Sequence, residues 1–152
     1  MPVEKVVITR ASKNDIADIM VLEREAFGRD AYPRGFLEEV LDREECIFLK
    51  ASLKDKTVGY VLALRESNDE GHIISIAVKD SYKGKGIGGK LLEAAEQELA
   101  KRGAKIIRLE VSEKNTIARR LYERHGYKVI ARLPSYYSDN SAALVMVKIL
   151  EH

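Results

Sequence analysis

Four of the ten glycines in the chain fall within one short segment, YKGKGIGGK at residues 82–90. Glycine accepts positive φ angles and lets a ligand approach the backbone closely. Where such a segment opens a helix, the amide N–H groups and the helix dipole together favour an anion, and Lys83, Lys85 and Lys90 add positive charge. The segment therefore predicts binding of a phosphate-bearing ligand. The alternative is a flexible turn with solvated lysines.

Two nucleotide-binding patterns match these glycines in part. Residues 84–89 fit the dinucleotide pattern G-x-G-x-x-G, and Glu110 lies about 20 residues further on, where a ribose-binding acid would sit. That fold needs several parallel strand-helix units, however, and only about 60 residues remain. Residues 84–90 also resemble the ATP-binding P-loop, but Leu91 stands where that loop has the Ser or Thr that binds magnesium. Each match is weak by itself.

Hydrophobic periodicity places the glycine-rich segment between a strand over 72–78 and a long helix that begins at Ile87 and ends at Gly103. Before this segment, the sequence predicts a strand over 6–9, a helix between a Ser12–Asp15 capping box and Gly28, a second helix after Pro33, and a hairpin of strands 46–51 and 57–64. After the long helix, it predicts a strand over 106–111, a helix over 115–124, and strands over 127–131 and 143–149.

This order predicts an α/β (α+β) fold with a central mixed, mostly antiparallel sheet of about seven strands, flanked by about four helices. The crossover through the long helix makes strands 73–78 and 106–111 parallel. The length of 152 residues suits a single domain over 1–152.

Composition excludes several classes of partner. Hydrophobic residues make up 45% of the chain and charged residues 33%, but the net charge is only +2, which gives no reason to expect nucleic acid or a membrane surface. The single cysteine, Cys46, cannot form an internal disulfide, as suits a reducing compartment. Charges at Glu4, Lys5 and Arg10 argue against a signal peptide, and no stretch approaches the ~20 apolar residues of a membrane span. The expected location is the cytoplasm.

Residues 71–89, GHIISIAVKDSYKGKGIGG, resemble the acetyl-coenzyme A-binding core of the GCN5-related N-acetyltransferases (GNAT), whose signature is Gln/Arg-x-x-Gly-x-Gly/Ala after a strand. Here Lys83, Gly86 and Gly88 fill that signature, with lysine at the first position. The resemblance continues over residues 109–130, where the family's spaced residues are matched by Asn115, Ala118, Leu121-Tyr122 and Gly126-Tyr127. Within the superfamily, the chain is most similar to protein N-terminal acetyltransferases of the bacterial RimI type and the archaeal type.

The resemblance implies acetyl-CoA as co-substrate and no metal. Its pyrophosphate would be held mostly by backbone N–H groups of Lys83, Gly84, Lys85, Gly86, Ile87, Gly88 and Gly89. The backbone of Ile76, Ala77 and Val78 would pair with the pantetheine arm like an added strand, with the side chains in the core. Asn115 would contact the cofactor as well as cap a helix.

Acetyl transfer from a thioester needs a neutral amine, a base for its proton and a proton donor for the departing thiolate. Glu110 interrupts an apolar strand and is the candidate base, as in RimI-like enzymes. Tyr122 occupies the family's acid position, and a phenol of pKa ~10 is protonated at neutral pH. His72 matches a position that helps deprotonate the amine through water in some relatives, so it is a candidate second base. Each also has a structural reading: a solvent-facing glutamate, a packing tyrosine and an edge histidine.

Substrate recognition is expected from loops on the other side of the cofactor. These carry Asp30 and Tyr32 between the first two helices, and Tyr136 and Tyr137 before the last strand. In N-terminal acetyltransferases such segments hold the first residues of the peptide, and some relatives have a glutamate where Asp30 stands.

The sequence therefore favours an enzyme that acetylates the α-amino group of proteins, with a ribosomal protein as one candidate target. The alternatives are an acetyltransferase of the same fold that acts on a small amine, and a module that binds coenzyme A without catalysis. The expected assembly is a monomer or a homodimer.

Overall fold

The computed structural model describes residues 5–150, so Glu4 of the N-terminal segment considered above lies outside the described residues. Seven strands form one sheet: β1 (Val7–Arg10), β2 (Cys46–Leu53), β3 (Lys56–Arg65), β4 (Glu70–Val78), β5 (Ile106–Ser112), β6 (Lys128–Leu133) and β7 (Ala143–Ile149). Four α-helices accompany it: α1 (Ile16–Phe27), α2 (Arg34–Leu41), α3 (Ile87–Lys101) and α4 (Thr116–Arg124). The predicted order of strands and helices is confirmed.

The sheet has the strand order β1-β2-β3-β4-β5-β7-β6. Neighbouring strands are antiparallel except β4 and β5, which are parallel as predicted from the crossover through α3. The predicted fold class, a mixed and mostly antiparallel sheet with four flanking helices, is therefore confirmed.

Local signals explain where the helices begin and end. The backbone N–H of Ser12 donates to Asp15 Oδ2 at 2.8 Å, which forms half of the predicted capping box before α1. Gly28 ends α1 with φ +53°. Pro33 is the N-cap of α2 rather than part of its first turn, and Asn115 is the N-cap of α4.

The helices cover both faces of the sheet. On one face, α1 and α2 pack against Phe48, Tyr60 and Leu62. On the other face, α3 packs through a buried stripe that includes Leu91, Leu92, Ala95 and Leu99. The sheet is thus the middle of three layers. Its backbone is accessible to a ligand at the strand ends and at the place where two strands separate. Among residues 5–150, no helix has the length and apolar character needed to cross a membrane.

The parallel strands β4 and β5 separate partway along their length. Their register runs from Glu70 opposite Ile106 to Ile73 opposite Leu109 and ends there. Beyond Ile73, β4 pairs only with β3 among the described strands. The β3–β4 register shifts at this same point and leaves Ile74 as an extra residue, and such a bulge bends a strand. The separation opens a gap in the middle of the sheet.

Candidate active site

A cavity of about 730 Å³ lies in the gap between β4 and β5. Its walls come from β4, β5, the end of α1, the start of α4 and the loop between β6 and β7. The structure brings together here eight of the residues predicted for the site: Asp30, Tyr32, Ile76, Glu110, Asn115, Tyr122, Tyr136 and Tyr137. His72 is not part of the wall but contacts Glu110 directly.

The predicted phosphate-binding segment follows β4 and opens α3. Gly84 and Gly86 have φ +78° and +82°, in the left-handed region where a side chain is strained. The first helical hydrogen bond runs from Lys90 N–H to the Gly86 carbonyl at 3.2 Å. The amides of residues 87–89 therefore precede the helical ladder and are available at the N-terminus. Open space surrounds the Cα atoms of Gly84 and Gly86, as close approach of a phosphate requires.

The neighbouring glycines serve a different purpose. A Cβ on Gly88 would lie 3.3 Å from Leu121, and one on Gly89 would lie 3.3 Å from His125. Both neighbours belong to α4 or its C-cap, so these two glycines let α3 and α4 approach each other. The prediction treated the four glycines alike, but only the first two are surrounded by open space.

The lysines of the segment are partly engaged. Lys83 pairs with Asp80 at 2.7 Å, and Lys85 lies over the Tyr82 ring at 5.3 Å from its centroid. Because the exposed lysines remain close to the amides of residues 87–89 in sequence, they supplement the helix N-terminus as positive charge. Together with the unpaired edge of β4 beyond Ile73, the residues present fit an elongated phosphorylated ligand.

The cofactor-strand residues Ile76, Ala77 and Val78 have side chains that pack into the core, as predicted. Ala77 is buried on the α1 face, and Val78 packs against the α3 face. Their backbone faces β3 on one side and the gap on the other. Asn115 has two structural roles. Its Oδ1 caps α4 by accepting from Ala118 N–H at 3.2 Å, and the residue also lines the cavity.

Glu110 and His72 form a close pair on the two parallel strands. His72 lies opposite Arg108 in the register, so Glu110, two residues further along β5, points to the same face. Nε2 of His72 is 2.7 Å from Glu110 Oε1, and Arg108 Nε is 3.4 Å from Glu110 Oε2. The predicted second base is therefore placed beside the first.

The surroundings of this pair shift the pKa values of both side chains. Burial raises the pKa of Glu110, but the hydrogen bond and charge of His72 and the charge of Arg108 outweigh it, so the net pKa is lowered. Burial lowers the pKa of His72, but Glu110 and Glu66 outweigh it, so the net pKa is raised. Glu110 is thus ionised at neutral pH, and a proton gained by the pair is shared with the imidazole.

Tyr122 is buried on α4 and contributes to the cavity wall. Its ring packs edge-on against Tyr127, with centroids 6.0 Å apart. Burial, with a smaller contribution from Tyr137, raises the pKa of Tyr122 far above its ordinary value. The phenol therefore stays protonated at neutral pH and can act as a hydrogen-bond or proton donor toward the cavity.

The two loops predicted to bind substrate are joined to each other. Asp30 Oδ1 accepts from Ser138 N–H at 3.0 Å, and its Oδ2 accepts from the Ser138 hydroxyl at 2.9 Å. Tyr136 and Tyr137 pack edge to face at 4.9 Å, and Tyr32 stacks on Phe36 at 4.7 Å. The loops therefore form one aromatic rim over the cavity.

Sequence reasoning missed Glu23, whose side chain is 1% exposed and lines the cavity. It accepts hydrogen bonds from Tyr32 N–H at 2.9 Å, from the Ser75 hydroxyl at 2.6 Å and from the Tyr60 hydroxyl. A signal was present, because Glu23 stands four residues after Ile19 on the apolar face of α1, where a carboxylate needs buried donors. Glu66 and Arg108 beside His72 were also missed.

Comparison with known proteins is consistent with this geometry. The acetyltransferase (GNAT) family model matches residues 13–127. The chain is 36% identical to an uncharacterised N-acetyltransferase of Methanocaldococcus jannaschii, covering 93% of this chain and 90% of that one. It is 32% identical to an N-alpha-acetyltransferase of Sulfurisphaera tokodaii, covering 91% and 90%. Among solved structures, Ard1 from Thermoplasma volcanium superposes with a TM-score of 0.90 at 26% identity, over 97% of this chain and 99% of that one.

The left-handed glycine at the start of α3 leads to a test of the phosphate site. A Cβ on Gly86 costs about 1–2 kcal/mol at positive φ, which favours a rearrangement that turns the amides of residues 87–89 away. Gly86→Ala should therefore weaken acetyl-CoA binding by ~5–30-fold in calorimetric titration, by the usual conversion of energy into affinity.

Gly103→Ala is the matched control, because Gly103 has φ +97° at the other end of α3. It should lower stability by a similar amount and leave acetyl-CoA affinity unchanged. Wild-type affinity in a folded Gly86→Ala protein would mean that the phosphates bind elsewhere.

Proposed function

This chain belongs to the acetyltransferase (GNAT) family and is an acyltransferase that uses acetyl-CoA, and we propose that it acetylates the α-amino group at the N-terminus of proteins. The observation that carries the proposal is that Glu110 and Tyr122 line one cavity in the gap between β4 and β5. A proton acceptor and a proton donor on the same cavity are what transfer between a thioester and an amine requires.

The proposed cofactor site is the gap side of β4 together with the start of α3. Amides of residues 87–89 and the left-handed turn at Gly84 and Gly86 would hold the pyrophosphate. The backbone of Ile76 to Val78 would hold the pantetheine arm along the edge of β4 that β5 leaves unpaired. This arrangement brings the thioester into the gap between the strands, where Glu110 and Tyr122 lie.

Glu110 is proposed as the base. The substrate amine is an ammonium ion at neutral pH and must lose a proton before it can attack the thioester carbonyl. Glu110 accepts that proton directly or through water and becomes neutral, while His72 at 2.7 Å stays hydrogen-bonded to it. Tyr122 then donates its phenolic proton to the departing thiolate, and the second proton that the nitrogen loses on becoming an amide returns through water to the tyrosine. No covalent enzyme intermediate is needed.

The rim of the cavity supports a protein N-terminus as the acceptor. Four acidic residues line the walls against one cation, Lys114, which pairs with Asp139 at 3.5 Å, so the walls keep a net negative character that favours an approaching ammonium; the acids are Glu23, Asp30, Glu110 and Asp139. The tyrosines of the two joined loops offer flat, amphipathic surface to the first residues of an extended chain. The relative from Sulfurisphaera tokodaii is named an N-alpha-acetyltransferase, in agreement with this substrate class.

An acetylation assay with matched amines tests the substrate. Peptides with free N-termini, the same peptides with a blocked N-terminus and one internal lysine, and small polyamines should be compared by product mass. We expect product on the free α-amine and at least ~10-fold lower kcat/KM on the others, equivalent to ~1.4 kcal/mol of selectivity. Preference for polyamines would support the small-amine enzyme, and tight acetyl-CoA binding without turnover would support a binding module.

Replacement of Glu110 tests the base. Glu110→Gln keeps the shape of the side chain and should lower kcat by ~10²–10⁴-fold, the usual range for loss of a general base. The loss should become smaller as pH rises, because more of the substrate amine is then already neutral. Glu113→Gln is the control, since Glu113 follows the same strand but pairs with Arg132 instead. Wild-type turnover by Glu110→Gln across the whole pH range would refute the assignment.

Two tyrosines in edge-to-face contact, Tyr122 and Tyr127, offer a paired test of the acid. Tyr122→Phe removes a hydroxyl that serves the cavity and should lower kcat by ~10²-fold or more with little change in stability. Tyr127→Phe removes a hydroxyl that donates to the buried Glu96 at 2.8 Å, so it should cost ~1–3 kcal/mol in denaturant unfolding and spare kcat. The opposite pattern of losses would show that Tyr122 is structural.

A further inference from the structure

The imidazole of His72 is held from both sides by carboxylates. Its Nε2 lies 2.7 Å from Glu110 Oε1, and its Nδ1 lies 2.7 Å from Glu66 Oε1. An ionised carboxylate only accepts hydrogen bonds, so each ring nitrogen carries a proton when it approaches its carboxylate this closely, and the ring is an imidazolium. The two contacts therefore fix the orientation of the His72 ring, with Nε2–H donating to Glu110 and Nδ1–H donating to Glu66.

Glu66 is well placed to hold the ring. It stands in the short connection between β3 and β4, and its backbone N–H donates to the Glu70 carbonyl at 2.9 Å, which fixes the connection. Its side chain is 38% exposed, and it is not part of the cavity wall. Glu66 therefore contacts His72 from outside the site and can influence the reaction only through its neighbours, the imidazole and Arg108.

Arg108 completes this cluster from β5. Its Nη2 lies 3.1 Å from Glu66 Oε2 and 3.0 Å from His72 Nδ1, and its Nε lies 3.4 Å from Glu110 Oε2. Within residues 5–150, that Nε is buried without a hydrogen-bond partner, and the guanidinium is held by ion pairs with the surrounding carboxylates. Glu70 lies 3.9 Å from the same Nε. The charged groups around His72 are thus Glu66, Glu70, Arg108 and Glu110.

We propose that Glu66 is a positioning residue of the active site, which holds the His72 imidazolium so that its Nε2–H donates to Glu110 Oε1 and leaves Oε2 to accept the proton of the amine. The proposal rests on the proposed role of Glu110 as base. When Glu110 Oε2 takes a proton from the amine, Nε2–H stays directed at Oε1 and Nδ1–H stays directed at Glu66. The ion pair of His72 with Glu66 balances the imidazolium charge once Glu110 is neutral, and solvent removes the proton from Glu110 before the next turnover.

Glu66 and Arg108 carry opposite charges, so replacing each of them should shift the pKa of His72 in opposite directions. Glu66 raises the pKa of His72 and Arg108 lowers it, while burial also lowers it. Glu66→Gln should therefore lower the pKa of His72, measured by NMR titration of its ring, and move the acidic limb of the kcat/KM profile to lower pH. Arg108→Gln should move both to higher pH. A purely structural role for the cluster would not give opposite shifts.

The size of the loss in kcat also distinguishes a positioning residue from the base itself. Glu66→Gln should lower the kcat plateau by ~10-fold, less than the ~10²–10⁴-fold expected for loss of the base itself, with KM for peptide and acetyl-CoA unchanged. Glu39→Gln is the matched control, because Glu39 accepts from Arg43 on the surface of α2 and should change none of these values.

The outcomes distinguish this inference from the proposed function. An unchanged pKa of His72 and an unchanged acidic limb in Glu66→Gln would overturn the positioning role, even if Glu110→Gln is inactive. A shift of the same sign in Glu66→Gln and Arg108→Gln would overturn it as well. Full turnover by Glu110→Gln would instead refute the base, while the ring titration would still report whether Glu66 holds His72.

Discussion

The parting of β4 from β5 is the constraint on which the site depends. Four register pairs hold the strands together, and the extra residue Ile74 bends β4 away immediately after them. The paired end fixes His72 beside Glu110, because both strands are rigid there. The separated end exposes backbone to a ligand and admits a cavity into the middle of the sheet. One geometric change thus supplies both the anchored Glu110 and the space that it lines.

The hydrogen bonds of Glu23 and Glu110 explain why these two carboxylates on the cavity wall differ. Glu23 receives donors from Tyr32, Ser75 and Tyr60, so its oxygens are committed to holding the wall together. Glu110 receives His72 on one oxygen, while its other oxygen has only Arg108 at 3.4 Å. That second oxygen retains capacity to accept from a ligand. The same residue type is structural at one wall and available for chemistry at the other.

The sequence predicted the fold well because its signals are local. Alternation and helical spacing marked every strand and helix, and the positive φ of Lys54 and Asp55 agrees with the tight hairpin predicted near them. What it could not predict depended on register. Glu66 and Arg108 are surface-like residues in sequence, and only the pairing of His72 with Arg108 brings them together. Gly88 packs on α4, whereas Gly84 and Gly86 face open space, and this difference likewise depends on how α3 and α4 meet.

The substrate side of the cavity is preformed by bonds between distant segments. Ser138 donates to Asp30, the Tyr32 amide donates to Glu23, and the Ser75 hydroxyl on β4 donates to the same Glu23. This path links the loop before β7, the loop after α1 and the strand proposed to hold the cofactor. A wall fixed in this way loses little conformational freedom when a chain terminus enters, so contacts with that terminus contribute to affinity and selectivity instead of ordering the loops. Selection of the amine is therefore expected to lie in the shape and charge of the rim, and its activation in the Glu110–His72 pair beneath.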